Sequence, residues 1–281
     1  MIAVCASTAY ACGRQQSSQS SGEQEFGGGK QSGVFTHPTQ VNNRFWPLRR
    51  GTEYIYTGSE DVDGRRVSHS DVFVVTDLVK PIDGVRTVVI WDRDFASGRL
   101  QEGELAFQAQ DDAGNVWLFG EYPEEYDAGK LTGAPDTWLA GLAHAKRGIL
   151  MYSTPRTGMR SYLQGWAPAV GFADHAKVYR TGERNCVPVG CYRDVLQTTE
   201  WSPDDPRARQ LKYYAPGIGN IRVGFSGDPQ REVLVLRHLK HLSPTALAAV
   251  DAQALAIDRR GYRVNKRIYG RTSLAVKTAS G

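Results

Sequence analysis

The chain has 281 residues, a formal net charge of +4 and 41% hydrophobic residues. Its aromatic content of 10% is too high for a wholly disordered chain, and no apolar run reaches the roughly 18 residues of a membrane-spanning helix. These figures predict a folded domain. The first residues of the chain give information on its localisation.

The N-terminus has features of an export signal. Small residues at Ala9 and Ala11 precede Cys12, as at a signal-peptidase site. A Cys at this position also resembles the bacterial lipobox, in which that Cys is lipidated. No Lys or Arg precedes the short apolar stretch, so an irregular cytosolic N-terminus is the alternative. We expect export to the bacterial cell surface or the extracellular space, with attachment to a membrane surface through Cys12.

A low-complexity segment follows this signal-like region of residues 1–12. Of the 21 residues in 13–33, 16 are Gly, Gln or Ser, and such a segment buries too little apolar surface to offset its ordering entropy. We expect a disordered tether over residues 13–41, a single β-rich domain over 42–272 and a flexible tail over 273–281.

The domain is predicted to consist mostly of strands separated by turns. Its clearest hairpin joins Leu105–Gln110 to Val116–Glu121 through Gly114. Further strands are predicted at Thr52–Gly58, Val67–Val79, Val85–Trp91, His175–Arg180, Tyr192–Glu200, Leu211–Ala215, Asn220–Phe225 and Glu232–Leu239. Residues 122–172, which are rich in Gly, Pro and aromatic residues, are expected to form a looser insertion.

One helix is predicted near the C-terminus, with Ser243 as N-cap and Pro244 as its first residue. The pattern as a whole is mainly β, without the β-α-β alternation of a parallel sheet. It predicts a curved antiparallel sheet that forms a half-barrel or a barrel, with a C-terminal helix.

Two cysteines lie close together in the domain. Cys186 and Cys191 bracket a short Pro/Gly loop, and a disulfide that closes so few residues stabilises by about 2 kcal/mol. Free thiols and a metal site are the alternatives, but zinc would need further ligands at suitable spacing. We expect the disulfide, which agrees with export, and no metal site.

The sequence lacks the common motifs of enzymatic chemistry. Walker A, Rossmann, nucleophile-elbow and His-Glu-x-x-His patterns are absent, so no cofactor is predicted. Residues 237–281 carry nine Lys or Arg against two Asp or Glu, a basic end that can meet phosphates or an acidic neighbour. No nucleic-acid-binding motif accompanies it. We expect a monomer that does not bind nucleic acid.

Aromatic residues in the middle of the chain are the stronger signal. The strand at residues 116–119 is apolar on both faces, so one face must meet something besides the main core, such as a covering loop or a ligand. Glu121, beside Trp117 and Phe119, could be desolvated with a shifted pKa. The predicted ligand-binding residues are Trp117, Phe119, Glu121, Trp138, Tyr162 and Tyr213. Their ligand would be an apolar or amphipathic small molecule or a lipid, and packing of a large sheet is the alternative.

Two segments carry a resemblance to a known group of proteins. Gly114-Asn115-Val116-Trp117-Leu118-Phe119-Gly120-Glu121 and Lys212-Tyr213-Tyr214-Ala215-Pro216-Gly217-Ile218-Gly219 resemble segments of exported bacterial proteins and lipoproteins without an assigned activity. Those proteins are similar in outline to the curved-sheet carriers of the lipoprotein-localisation type. The resemblance implies an exported β-protein with a hydrophobic concavity, and it supplies no catalytic residues.

The leading hypothesis is therefore an exported, lipid-anchored protein of the cell envelope. It would bind an apolar or amphipathic ligand, or an envelope partner, on a curved β-sheet without catalysis. One alternative is a secreted hydrolase with its site in residues 117–175, where Glu121, His144 or His175 would act as acid or base. The other is a structural envelope protein with a filled barrel.

Overall fold

The structure is a computed structural model and describes residues 33–278. Fifteen strands and one α-helix are present in this range. The strands are β1 (Thr52–Val62), β2 (Arg65–Ile82), β3 (Val85–Ala96), β4 (Arg99–Gln110), β5 (Val116–Asp127), β6 (Lys130–Gly133), β7 (Trp138–Leu139), β8 (Lys146–Met151), β9 (Tyr162–Ala167), β10 (Phe172–Val187), β11 (Gly190–Trp201), β12 (Arg209–Ala215), β13 (Gly219–Ser226), β14 (Val233–His241) and β15 (Val276–Lys277). The helix α1 spans Pro244–Val264, and two 3₁₀ turns lie at Pro168–Val170 and Tyr269–Arg271.

Twelve of the strands form a closed antiparallel barrel. The barrel consists of β1 to β5 followed by β8 to β14. The ring is closed because β1 pairs with both β2 and β14. At the closing seam Thr52 lies opposite His241. The strands β6 and β7 add to β5, and β15 adds to β2. The predicted mainly β fold with a barrel and a C-terminal helix is confirmed.

The segment 122–172 differs from its prediction. It was expected to be a loose insertion, but it contains β8 and β9, which complete the barrel between β5 and β10. The apolar run Ile149-Leu150-Met151 shows no alternation because both faces of β8 are covered: Ile149 packs in one hydrophobic cluster and Leu150 in the other. Periodicity therefore gave no strand signal here.

The barrel has two chemically different ends. Because neighbouring strands are antiparallel, the connections alternate between an end close to Gly33, which we call the proximal end, and the opposite, distal end. Residues 38–48 cross the proximal end and insert Trp46, whose ring packs edge-on against Phe73 and Tyr214 at 5.7 Å. The Trp46 Nε1 donates to Gln108 Oε1 at 2.6 Å. The proximal half of the interior is thereby filled with apolar side chains.

The first described residues are fastened to the barrel wall. The backbone N and the Oγ1 of Thr36 donate to the carboxylate of Asp112 at 2.8 and 2.6 Å. The Phe35 ring packs edge-on against Phe119 at 5.5 Å and Trp117 at 6.1 Å. Two described segments, 33–41 and 273–278, lie outside the predicted 42–272 domain and make contacts with it.

The helix α1 begins as the sequence predicts. Ser243 is its N-cap, with its Oγ accepting from the backbone N of Ala246 at 3.2 Å, and Pro244 is its first residue. It packs on the outer face of β2 and β4. Within residues 33–278, no helix is both long and apolar enough to span a membrane.

The helix is fastened by a buried ion pair. Lys80 of β2 is fully buried, and its Nζ donates to Asp258 Oδ1 at 2.9 Å, to the Tyr262 hydroxyl at 3.0 Å and to the backbone O of Ser273 at 2.6 Å. Asp258 also accepts from the Tyr269 hydroxyl at 2.6 Å and the backbone N of Ala275 at 3.0 Å. One charge pair thus holds the helix and the segment after it on the barrel.

The predicted disulfide is present. Cys186 and Cys191 are bonded to one another and lie directly opposite in the β10–β11 hairpin. This hairpin projects beyond the proximal end, and its Val187, Val189 and Tyr192 turn back onto the hydrophobic cluster there. The disulfide therefore fixes the shape of a projecting tip.

Candidate functional site

The predicted ligand-binding residues are divided between the two faces of the barrel wall. Trp117 and Phe119 lie on the outer face, where Phe35 covers them. Tyr213 also faces outward, since its neighbours Lys212 and Tyr214 are buried inside, and its hydroxyl accepts from Gln197 Nε2 at 3.1 Å. The loop that covers the apolar strand is thus residues 33–41.

The other predicted ligand-binding residues, Glu121, Trp138 and Tyr162, face the barrel interior. Glu121 accepts from the indole Nε1 of Trp138 at 2.9 Å, and Tyr162 packs edge-on against Tyr152 at 4.8 Å. Glu121 is buried, as expected, but Trp138 and not Trp117 is its hydrogen-bonding neighbour. A β-bulge at Gly120 is the reason: Leu118 pairs with Gln108 and Glu121 with Ala106, so both face inward. Gly120 has φ +148°, and a Cβ there would lie 2.4 Å from the backbone O of Trp138.

The three residues proposed for a hydrolase are not linked. His144 lies exposed in the loop before β8, and His175 stacks on Trp201 with ring centroids 5.6 Å apart. Burial lowers the pKa of His175. In the part of the chain that the structure describes, no hydrogen bond or ion pair joins Glu121, His144 and His175 to one another. The acid-base assignment to these residues remains a prediction.

A layer of carboxyl groups crosses the interior on the distal side of the apolar half. It comprises residues of six different strands and Glu232, which directly precedes β14, each at most 9% exposed: Asp71, Asp92, Glu104, Glu121, Asp174, Glu200 and Glu232. We call this set the acidic layer. Lys212 lies within it and forms an ion pair with Glu200 at 2.6 Å. Burial disfavours the charge of Lys212, but Glu200 and Asp174 together raise its pKa.

Burial raises the pKa of five of the seven carboxyls in the acidic layer. Burial raises the pKa of Asp71 well above its usual range, assisted by the charge of Asp92 and a hydrogen bond between the two carboxyls. Burial likewise raises the pKa of Glu104, with contributions from Glu121 and Glu102. It raises the pKa of Glu121 to about 7, although the hydrogen bond from Trp138 opposes the shift. These shifts favour the neutral form of the carboxyls inside the barrel, where a charge would be poorly solvated.

His69 joins the acidic layer to the distal end. Its Nε2 lies 2.7 Å from Asp94 Oδ2, and its Nδ1 lies 3.4 Å from Glu232 Oε1. Burial disfavours its charge, but the hydrogen bond and charge of Asp94, with Glu232, raise its pKa to about 9. At neutral pH both ring nitrogens carry protons, so His69 acts as a cation between two carboxyls and has no free nitrogen to serve as a base.

The acidic layer does not form a metal site. Within residues 33–278, no three His, Cys, Asp or Glu side chains come together with the geometry of metal ligands. Sequence analysis did not find the acidic layer. The signal that could have found it is the repetition of acids at alternate positions, Asp92 and Asp94 on β3 and Glu102 and Glu104 on β4.

A surface cleft of about 420 Å³ lies where α1 ends. Val264, Ala134 and Pro135 give it apolar walls, and Lys266 and Arg267 stand at its margin. The side chain of Asn265 donates to the backbone O of Ala134 at 3.1 Å and joins the helix to the β6 side of the cleft. The volume is within the range of small-molecule sites, and the lining combines apolar surface with two cations and the carboxylate of Glu125.

No protein-family model matches the chain, and no curated protein matches it. Two solved structures are similar. One is a candidate exported protein of Bacteroides fragilis with a YmcC-like fold, 14% identical with a TM-score of 0.40. The other is a candidate lipoprotein of Parabacteroides distasonis, 13% identical with a TM-score of 0.37. In each case the similarity covers 70% of this chain and 99% of the other.

Proposed function

We propose that the protein is an exported, membrane-tethered barrel that binds an amphipathic molecule with an anionic group. The observation that carries the proposal is the cleft at the end of α1. Val264, Ala134 and Pro135 offer an apolar surface, and Lys266 and Arg267 offer two positive charges against the single carboxylate of Glu125. This combination fits a fatty acid or a phospholipid headgroup with part of its chain.

The barrel interior is a poorer place for such a ligand. Its proximal half is filled by Trp46 and its neighbours, and its other half is occupied by the buried side chains of the acidic layer. A curved sheet can therefore serve as a rigid scaffold, with binding on its outer surface. This differs from the carrier arrangement that the sequence resemblance implies, in which the sheet itself holds the ligand.

Export is supported by features of this chain. The Cys186–Cys191 disulfide is typical of proteins that fold in an oxidising compartment. The signal-like segment with Cys12 and the low-complexity residues after it lie outside the described residues and agree with the same location.

Native mass spectrometry of protein purified from its own host tests the cleft. We expect an amphipathic anion of low mass to co-purify, and a panel of fatty acids and lysophospholipids to raise the melting temperature. The double variant Lys266→Glu/Arg267→Glu should weaken binding at least tenfold, because it replaces two attractive charges with two repulsive ones.

Arg259→Glu/Arg263→Glu is the matched control, since both residues are exposed on α1 and do not line the cleft. It should change the affinity less than twofold. Equal losses in the two double variants, or no adduct and no thermal shift with the wild type, would refute ligand binding and leave the filled barrel with a structural role.

Attachment through Cys12 has a separate test. In the host, the wild-type protein should stay with membranes washed in 0.5 M NaCl and extract into detergent, whereas that wash should leave Cys12→Ala in the soluble exported fraction, since it has lost its acyl chains. Cys5→Ala is the control and should behave as wild type, because residue 5 would leave with the signal segment. Unchanged fractionation of Cys12→Ala would show that this residue is not the anchor.

A further inference from the structure

We propose that the proximal end of the barrel docks directly on an anionic phospholipid surface. The proposal concerns a different surface from the cleft and does not require Cys12 to be lipidated. It rests on the distribution of charge between the two ends, on apolar side chains exposed at one of them, and on the place where the chain enters the barrel.

The two ends carry opposite charge. The proximal end is formed by residues 33–51, 111–115, 152–161, 179–194 and 237–243, which contain ten Arg or Lys and four Asp or Glu. The distal connections, residues 59–67, 94–102, 124–137, 201–209 and 226–232, contain seven Arg or Lys and thirteen Asp or Glu. Asp83 of the β2–β3 turn also lies at the proximal end, and Arg260, Lys266 and Arg267 lie against the distal residues 124–135. With these four included, the net charges are +5 and −3. An anionic surface would attract the proximal end and repel the distal one, which orients the barrel.

All ten proximal cations are exposed: Arg44, Arg49, Arg50, Arg156, Arg160, Arg180, Arg184, Arg193, Arg237 and Lys240. They come from four separate parts of the chain and surround the end of the barrel. A broad ring of charge of this kind fits an extended surface, since each basic residue near an anionic bilayer contributes about 1 kcal/mol.

Apolar side chains stand among these cations. Val34 is 68% exposed, Tyr179 is 51% exposed and Leu239 is 36% exposed. The guanidinium of Arg180 lies 5.0 Å from the centre of the Tyr179 ring, so a cation and an amphipathic ring are presented together. A phospholipid surface satisfies both groups, because the phosphates meet the Arg and the acyl boundary accepts the apolar side chains. A soluble polyanion would satisfy only the charges.

The projecting hairpin is held in place for such contact. Its tip is closed by the Cys186–Cys191 bond, and Asp194 at its base pairs with Arg44 at 3.7 Å. Little conformational entropy is then lost when Tyr179 and Arg184 meet a surface.

The chain also enters the barrel at this end. A Cβ on Gly33 would lie 3.1 Å from the Cβ of Asp111, in the β4–β5 turn. The described chain therefore begins at the basic end of the barrel.

Vesicle co-sedimentation tests the proposal with the full chain carrying Cys12→Ala, oxidised so that the disulfide is formed. Its membrane partition is compared for vesicles of phosphatidylcholine alone and with 30% phosphatidylglycerol. We expect at least tenfold stronger partition onto the anionic vesicles, and its loss at 0.5 M NaCl, where charges are screened over a few ångströms.

Two charge-matched triple variants localise the surface. Arg156→Glu/Arg160→Glu/Arg184→Glu alters exposed proximal residues, and Arg99→Glu/Lys130→Glu/Arg207→Glu alters exposed distal ones. The proximal variant should lose more than tenfold in partition and the distal variant less than twofold, with melting temperatures as controls for folding. Equal losses, equal binding to neutral vesicles, or binding of dextran sulfate without binding of vesicles would overturn the proposal. Because Cys12 is absent throughout, failure here is distinct from failure of the lipid anchor.

Discussion

Replacing Lys80 with Met should lower the free energy of unfolding by about 3–5 kcal/mol. The ammonium group is fully buried and donates to Asp258, which is itself 1% exposed. Removing the cation leaves a carboxylate inside the protein with only the Tyr269 hydroxyl and the backbone N of Ala275 as donors. Urea unfolding monitored by circular dichroism measures the loss.

Two further variants distinguish the stability contribution of the buried ion pair from that of an exposed ion pair. Lys80→Met combined with Asp258→Leu removes both charges and should recover much of the lost stability, because no uncompensated charge remains. Arg44→Met breaks the exposed pair with Asp194 and should cost less than about 0.5 kcal/mol. Similar losses for Lys80→Met and Arg44→Met would show that the buried pair does not fasten the helix.

The melting temperature should fall steadily as the pH rises from 5 to 9. Burial raises the pKa of Glu232 to about 7, against 4.5 for an ordinary Glu, so the folded state keeps a proton that the unfolded state loses. Its stabilising contribution is complete below pH 4.5 and is lost as the pH rises to 7. This shift corresponds to about 3 kcal/mol. Differential scanning calorimetry across this range measures the profile.

His69 extends the decline to higher pH. Its pKa of about 9 lies above the ordinary 6.5, so its contribution is complete below pH 6.5 and is lost as the pH approaches and passes 9. Glu232→Gln should flatten the profile between pH 5 and 7, whereas Glu183→Gln on the exposed hairpin should leave it unchanged. A melting temperature that stays constant or rises from pH 5 to 9 would show that the pKa values of Glu232 and His69 are not raised in the folded protein.

The parts of the fold that follow from local sequence were predicted well. The hairpin around Gly114 and the start of α1 at Ser243 and Pro244 depend on turn and capping chemistry within a few residues. The Cys186–Cys191 bond also follows from local spacing. Strand bounds were predicted too short, because the outer halves of strands such as β10 are exposed and carry no apolar alternation.

The acidic layer and the helix attachment could not be predicted in this way. Asp71, Asp92 and Glu104 alternate with apolar residues, as in a strand that has one face in water. Only closure of the barrel turns that face toward the interior. Lys80 lies between the predicted strands Val67–Val79 and Val85–Trp91, and its partner Asp258 lies on another element 178 positions away. The bulge at Gly120 changes the face on which Glu121 lies. A pattern of strict alternation does not reveal such bulges.

Closure of the barrel has a consequence for how the protein is made. The seam joins β1 to β14, where Thr52 pairs with His241. The ring therefore cannot be completed until nearly the whole chain has been synthesised. Contacts between such distant positions form slowly. A chain of this topology stays unfolded during synthesis longer than one built from local contacts, which suits passage through a narrow translocation channel before the final strand pair forms.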